Sequence, residues 1–142
     1  MRSVFRRVHA AAAVLLVVGL VVQVFLAGAA LTELGGTGDF RFHEDFGYSV
    51  LGILTLTVLL TAVAARSERR DVGTAFAVLL LYVVQTSLPG FRASQPALAA
   101  LHPVNALLLF ALSAWYARRA WTMRRAAAPS GPAAAGIEPA SN

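Results

Sequence analysis

A chain of 142 residues that is 58% hydrophobic and only 13% charged falls well short of the roughly one-quarter charged residues of a soluble domain. Its net charge of +5 comes from twelve basic residues, all arginine. There is no cysteine, which excludes disulfides, thiolate metal sites, thiol-attached haem and cysteine nucleophiles.

The charges are gathered into clusters that leave uncharged runs at residues 8–32, 46–65, 72–91 and 93–117. A bilayer-spanning helix needs about 20 predominantly apolar residues at about 1.5 Å rise each, and all four runs reach that length. The expected fold is all-α: an integral membrane up-down-up-down four-helix bundle over residues 1–125, with spans at about 8–32, 44–65, 72–89 and 97–119. Arg2, Arg6, Arg7, Arg66, Arg69, Arg70, Arg118, Arg119, Arg124 and Arg125 would share one side, leaving Arg41 and Arg92 on the other. Positive charge flanking spans is retained on the cytoplasmic side. Both termini are therefore expected in the cytoplasm, with the protein multi-pass in the cell membrane. The basic balance reports topology, and no nucleic-acid partner is expected.

Span one carries Gly19, Gln23 and Gly28 among Val, Leu and Ala. Gly19 and Gln23 are four apart and share a face with Ala27 and Ala30. Small residues around one amide let membrane helices approach closely, so Gln23 reads as an interhelical hydrogen-bond donor or as a ligand contact. His9, beside Arg6 and Arg7, reads as an interfacial residue. The basic start and Ala27-Gly28-Ala29 would also suit a signal peptide, but the apolar run exceeds the usual core of about 7–15 residues. An uncleaved helix is expected.

Residues 32–42 contain Gly35-Gly36-Thr37-Gly38-Asp39, a turn-rich connector without the Gly-Lys-Ser/Thr ending of a phosphate loop. Span two opens with His43-Glu44-Asp45-Phe46-Gly47-Tyr48. Glu44 and Asp45 fall in the first turn, where carboxylates meet the positive end of the helix dipole. The hydroxyls of Thr55, Thr57 and Thr61 are expected to bond back to their own helix. A short inner loop at residues 66–71 makes spans two and three neighbours. Span three is plain apart from Tyr82, Gln85 and Thr86, and Pro89-Gly90 stops it. Span four starts at Pro96 or at Pro103, since proline suits a first helical position but breaks a bond deeper in. Trp115, Tyr116 and Trp121 mark the inner interface. The Ala/Pro-rich tail at 126–142 is expected to be disordered.

Chemistry concentrates in two histidines. Polar side chains in hydrocarbon are costly, face the bundle interior and often mark a site. His43 and His102 both lie near the outward ends of spans two and four. In a bundle with neighbouring axes about 8–10 Å apart, those spans are diagonal, roughly 12–14 Å apart. Two imidazoles reaching inward would leave a slot for one iron and the flat ring around it. Gly47 and Ala106 lie one turn below their histidines, where a macrocycle could come close, and Gln85 is at the height for a hydrogen bond that fixes an imidazole tautomer. The expectation is one b-type haem, with His43 and His102 as metal ligands and Gly47, Ala106, Gln85 and Gln23 around it. A bare metal ion is disfavoured, because two ligands are too few. With no inner histidine pair, electron transfer would stay on the outer side, to a quinone or a redox partner there. Redox sensing and haem handling are equally open, as is an oligomer. No arrangement for nucleophilic or acid/base catalysis is placed, so no established enzyme is expected. The alternative is a cofactor-free structural or regulatory membrane subunit, with a small-molecule carrier behind it.

The run Gln23-Val24-Phe25-Leu26-Ala27-Gly28, His43 with Gly47-Tyr48, Gln85, and Leu101-His102-Pro103-Val104-Asn105-Ala106 resemble an uncharacterised family of small bacterial four-span membrane proteins. The likeness is expected to cover about residues 6–119 and implies no activity. More distantly, the layout is similar to one half of haem A synthase. That resemblance implies haem ligation by His43 and His102, while the other half of such an enzyme has no counterpart in this sequence.

Overall fold

The computed structural model describes residues 2–126. Four of its helices are long and apolar enough to cross a membrane: Val4–Ala30, Arg41–Ala64, Arg69–Phe91 and Pro96–Met123, spans one to four below. No strand occurs among the described residues. The chain is an all-α protein whose helices suit a multi-pass membrane setting. The tail expected at 126–142 lies, beyond Ala126, outside the described residues.

Span one packs against spans two and four, and span three packs against the same two. The interior is built from small side chains: Ala10, Ala13, Ala62, Ala75, Ala117 and Ala120 are all buried. Many large apolar residues point out instead, among them Phe25, Ile53, Leu80 and Leu107. That distribution is inverted relative to a water-soluble protein. Lipid tails are as apolar as leucine, so helices associate by close packing of small residues rather than by hiding large ones. Gly19 illustrates the closeness: a Cβ there would lie 2.8 Å from Leu51 Cδ2 on span two. A middle layer of Leu16, Leu51, Val58, Val78 and Leu109 is buried.

Local backbone devices end each span. After span one, the amides of Gly36 and Gly38 donate to the carbonyls of Leu31 and Ala30, at 2.9 Å each. Gly35 takes the left-handed φ of 86° that closes the short Thr32–Leu34 turn, a conformation open to glycine at little cost. Asp39 then accepts from the Arg41 backbone amide at 3.0 Å, so span two begins at Arg41, ahead of the carboxylates. Arg66, at φ 51°, occupies the left-handed position that commonly follows a helix. Span three tightens into a 3-10 turn over Leu88–Phe91, where Pro89 withholds a backbone donor.

Span four resolves the choice between its two prolines. A single turn runs from Pro96 to Ala99, and the long helix begins at Leu101. Pro103 then sits in the first turn, where backbone amides have no intrahelical acceptor, so its missing donor breaks nothing. The threonines of span two bond back as expected: Thr55 to Leu51, Thr57 to Ile53 and Thr61 to Thr57, at 2.7, 2.7 and 2.6 Å.

One feature was not anticipated. Phe46–Leu51 is a π-helical turn between the α-helical pieces Arg41–Asp45 and Gly52–Ala64. The Tyr82 hydroxyl from span three lies against it, 3.2 Å from the carbonyl oxygens of both Gly47 and Tyr48. Gly52 leaves the room for this, since a Cβ there would stand 2.7 Å from that hydroxyl. A side-chain donor inserted beside a helix is a recognised cause of such irregularity, and π turns gather at functional sites.

Candidate functional site

His43 and His102 come together, with ring centres 6.3 Å apart and planes inclined at 66°. Each ring is held by one glutamine, and the backbone contact is the same in both halves. His43 Nδ1 lies 3.1 Å from the backbone carbonyl of Gln23, and its Nε2 lies 3.3 Å from the Gln23 side-chain nitrogen. His102 Nδ1 lies 3.0 Å from the backbone carbonyl of Gln85, and the Gln85 side-chain nitrogen lies 3.1 Å from both ring nitrogens. A carbonyl oxygen only accepts, so each Nδ1 carries the proton and donates it. Each Nε2 is then the lone-pair nitrogen, with a glutamine amide nitrogen within 3.3 Å of it. The tautomer of both rings is fixed by the backbone.

The remaining glutamine atoms differ between the halves. Gln23 Nε2 donates to the carbonyl of His43 at 2.8 Å, while its Oε1 is buried without a partner. Gln85 Oε1 accepts from Asn105 Nδ2 at 2.7 Å, and that nitrogen also donates to the carbonyl of Leu81 at 2.9 Å. Asn105, itself buried, thus holds the amide that holds His102. It is a positioning residue that was not assigned a role from the sequence.

A repeat in the sequence carries this symmetry, and it is the signal by which the paired arrangement could have been found. Val21-Val22-Gln23 with Leu26 and Gly28 has the spacing of Val83-Val84-Gln85 with Leu88 and Gly90. His43 and Gly47 likewise match His102 and Ala106. Each half is a helix pair that brings one glutamine and one histidine to the site. The halves diverge at the residue three beyond each histidine, Phe46 in one and Asn105 in the other.

All six residues singled out beforehand (Gln23, His43, Gly47, Gln85, His102 and Ala106) line a single cavity of about 490 Å³ at this end of the helices. The volume lies within the roughly 300–1,000 Å³ of small-molecule sites. Leu20, Val24, Leu51 and Phe110 supply apolar wall, and Arg92 and Glu44 reach the same space. Gly47 lines the cavity and also makes room for Gln23. Its missing Cβ is occupied by Gln23, whose Nε2 would lie 2.7 Å from an added methyl group. Glycine is required here by the glutamine. No cluster of three or more His, Cys, Asp or Glu that could hold a bare metal ion occurs among the described residues.

His9 also departs from expectation. It is buried rather than interfacial, because it lies on the face of span one that continues through Ala12, Ala13 and Leu16. Its Nδ1 is 3.0 Å from Thr61 Oγ1. That hydroxyl spends its one proton on the Thr57 carbonyl, so His9 Nδ1 donates. The ring of Tyr116 meets it edge-on with centres 5.5 Å apart. Nearby, buried Asp71 accepts from Arg119 Nε at 2.6 Å, and the same guanidinium reaches Glu68 at 3.2 Å. Asp71 Oδ2, Ser113 Oγ and Tyr116 OH are buried without partners. This inner cluster joins all four spans. The apolar layer of Leu16, Val58, Val78 and Leu109 belongs to the core cluster that also takes in Tyr116.

No curated protein and no solved structure matches the chain. Residues 23–91, just under half of it, match the model of a family of unknown function, DUF6220. The match takes in Gln23, His43, Gly47 and Gln85 and stops short of His102 and Asn105, a shorter reach than residues 6–119. It is to this uncharacterised family that the chain is similar.

Proposed function

We propose that the protein is an up-down-up-down membrane bundle, with both termini cytoplasmic, that binds one b-type haem between His43 and His102 toward its outer face. The orientation rests on the ten arginines gathered at one side. The observation that carries the cofactor is the pairing of the two imidazoles. Metal–nitrogen bonds of about 2 Å place the ring centres of two opposed imidazoles roughly 6 Å apart, and the rings stand at 6.3 Å. Their inclination of 66° suits opposed ligands, since each ring need only contain the metal–nitrogen axis. Both rings keep Nδ1 on a backbone carbonyl, the outer hydrogen bond that ligating histidines carry.

The donor set favours haem over a bare ion. Two imidazoles alone are a poor metal site, whereas a macrocycle brings four more nitrogens and needs only the axial pair. Ala106 and the apolar wall give it a dry lining, and Gln23 and Gln85 must swing from the Nε2 atoms to admit it. Bound haem supplies a one-electron couple; the chain supplies ligation, tautomer and dielectric. Electron transfer to a quinone or protein on the outer side, redox sensing and haem handling all fit that role.

The test is spectroscopic. Membranes containing the protein should show a Soret band that sharpens and shifts on reduction. His43→Ala and His102→Ala should each lose the six-coordinate spectrum while inserting at normal levels. Protein purified colourless from haem-replete cells, with no uptake of added haem, would overturn the proposal. A cofactor-free structural or regulatory subunit is favoured by one observation: a glutamine amide already stands within 3.3 Å of each Nε2. The same spectra separate the two readings.

A further inference from the structure

The cavity combines apolar walls with a floor of histidine and glutamine, and its mouth is charged. Arg92 lines it from the connection between spans three and four, where its backbone amide closes the 3-10 turn on Pro89 at 3.1 Å. The outer side has one other arginine, Arg41, and that one is committed: it holds Asp39 at 2.7 Å. Arg92 has no ion pair or hydrogen bond from its side chain among the described residues. The one carboxylate of the lining, Glu44, makes no ion pair with it. An exposed guanidinium over the opening of an apolar, histidine-floored cavity is an arrangement for a ligand with an apolar body and an anionic edge.

We infer that Arg92 is the counter-ion for the carboxylates of the ligand, so that the macrocycle stands edge-on with its two propionates turned to the outer mouth. The inference rests on the haem reading above and adds orientation and charge selectivity to it. Arginine suits the task because its planar fork meets a carboxylate with two parallel hydrogen bonds. Only the outward orientation keeps the propionates at the aqueous edge. Turned inward, they would lie against Leu51 and Leu109, both buried, where an unpaired carboxylate is strongly disfavoured. Arg92 touches neither histidine, so it acts on affinity and orientation and leaves ligation to the imidazoles.

The experiment compares haem with its dimethyl ester, which has the same iron and ring but no carboxylate charge. Both are titrated into purified full-length protein in one detergent, for the parent, Arg92→Gln and Arg92→Lys. Arg92→Gln is expected to weaken haem binding about tenfold or more, in keeping with the worth of a charge-assisted hydrogen bond. Its affinity for the ester should be unchanged, its six-coordinate spectrum intact, and Arg92→Lys should recover part of the loss. Equal weakening of haem and ester would overturn the inference, since Arg92 would then merely shape the mouth or neutralise Glu44. An Arg92→Gln protein that binds haem as tightly as the parent would overturn it too, while leaving the bis-histidine site standing. A parent protein that takes up neither ligand removes the site and this inference together. Arg92 is exposed and outside the packed core, so its replacement leaves folding intact.

Discussion

Gly47→Ala separates the role of this glycine from ordinary helix energetics. Alanine in place of glycine inside a helix is worth about 1 kcal/mol of stability. At Gly28, where an added Cβ meets nothing within 4 Å, that gain should appear undiminished. At Gly47 the new methyl would lie 2.7 Å from Gln23 Nε2. That atom is the end of a flexible chain and can move, so the steric cost is small. Moving it, however, breaks the 2.8 Å bond to the His43 carbonyl and the 3.3 Å contact with His43 Nε2. Interhelical hydrogen bonds in membranes average about 0.6 kcal/mol and reach about 1.7 kcal/mol. Two of them offset or exceed the helix gain, leaving Gly47→Ala destabilised by up to about 2 kcal/mol. The decisive measurement is a double-mutant cycle. With Gln23→Ala already in place there is nothing to displace, and Gly47→Ala should become stabilising. Reversible unfolding in mixed micelles, followed by fluorescence of Trp115 and Trp121, gives the four free energies. The expected coupling is about 1–3 kcal/mol. If Gly47→Ala is equally harmful with and without the Gln23 side chain, the glycine is not there for the glutamine.

Two further outcomes concern the charged ends. Arg119→Ala should destabilise the bundle markedly, because it strands the buried Asp71 carboxylate without its cation. Asp71→Asn should do less harm, since the Arg119 side chain is 27% exposed and keeps Glu68 at 3.2 Å; unfolding measurements that reverse this order would contradict the assignment of Asp71 as the buried partner. At the connector between spans one and two, the Arg41 side chain and backbone beside Asp39 pull its carboxyl down to about 2. A depressed carboxylate contributes its stabilisation above the ordinary value of about 3.9 and loses it as pH falls through the depressed one. The clasp should therefore be constant between pH 5 and 8. A carbon NMR titration of Asp39 should show a midpoint near 2 that Arg41→Gln raises, and a parent midpoint near 4 would refute the pairing.

The four spans were legible because lipid allows so few alternatives: runs of about 20 uncharged residues between arginine clusters have no other stable use. The meeting of His43 and His102 was legible from height alone, since both stand a similar distance from the outward ends of their spans. What could not be read were contacts between residues far apart in the chain. Asp71 and Arg119 are 48 residues apart, and nothing in either segment names the other. Asn105 stood in plain view as a polar residue in an apolar run, but its partner Gln85 depends on how spans three and four are rotated. His9 was misread because neighbouring arginines outweighed the face it shares with Ala12, Ala13 and Leu16. The Gln-x-x-Leu-x-Gly repeat was present throughout and would have indicated that the histidines come as an equivalent pair.

The π turn at Phe46–Leu51 gives span two a particular vulnerability. It accommodates one residue more than a regular α-helix would use over that length, so the segment above it is offset by about 100° relative to uninterrupted winding. Losing a single residue there would let the helix rewind into uniform α geometry, still amply long to traverse the bilayer. Because the wide turn absorbs the extra residue, such a loss would leave the imidazole above still facing its counterpart, whereas rewinding at unchanged length would carry it about 100° away. Anchorage and the direction of His43 are thus encoded separately within one helix: its length sets the first and the winding of this turn sets the second.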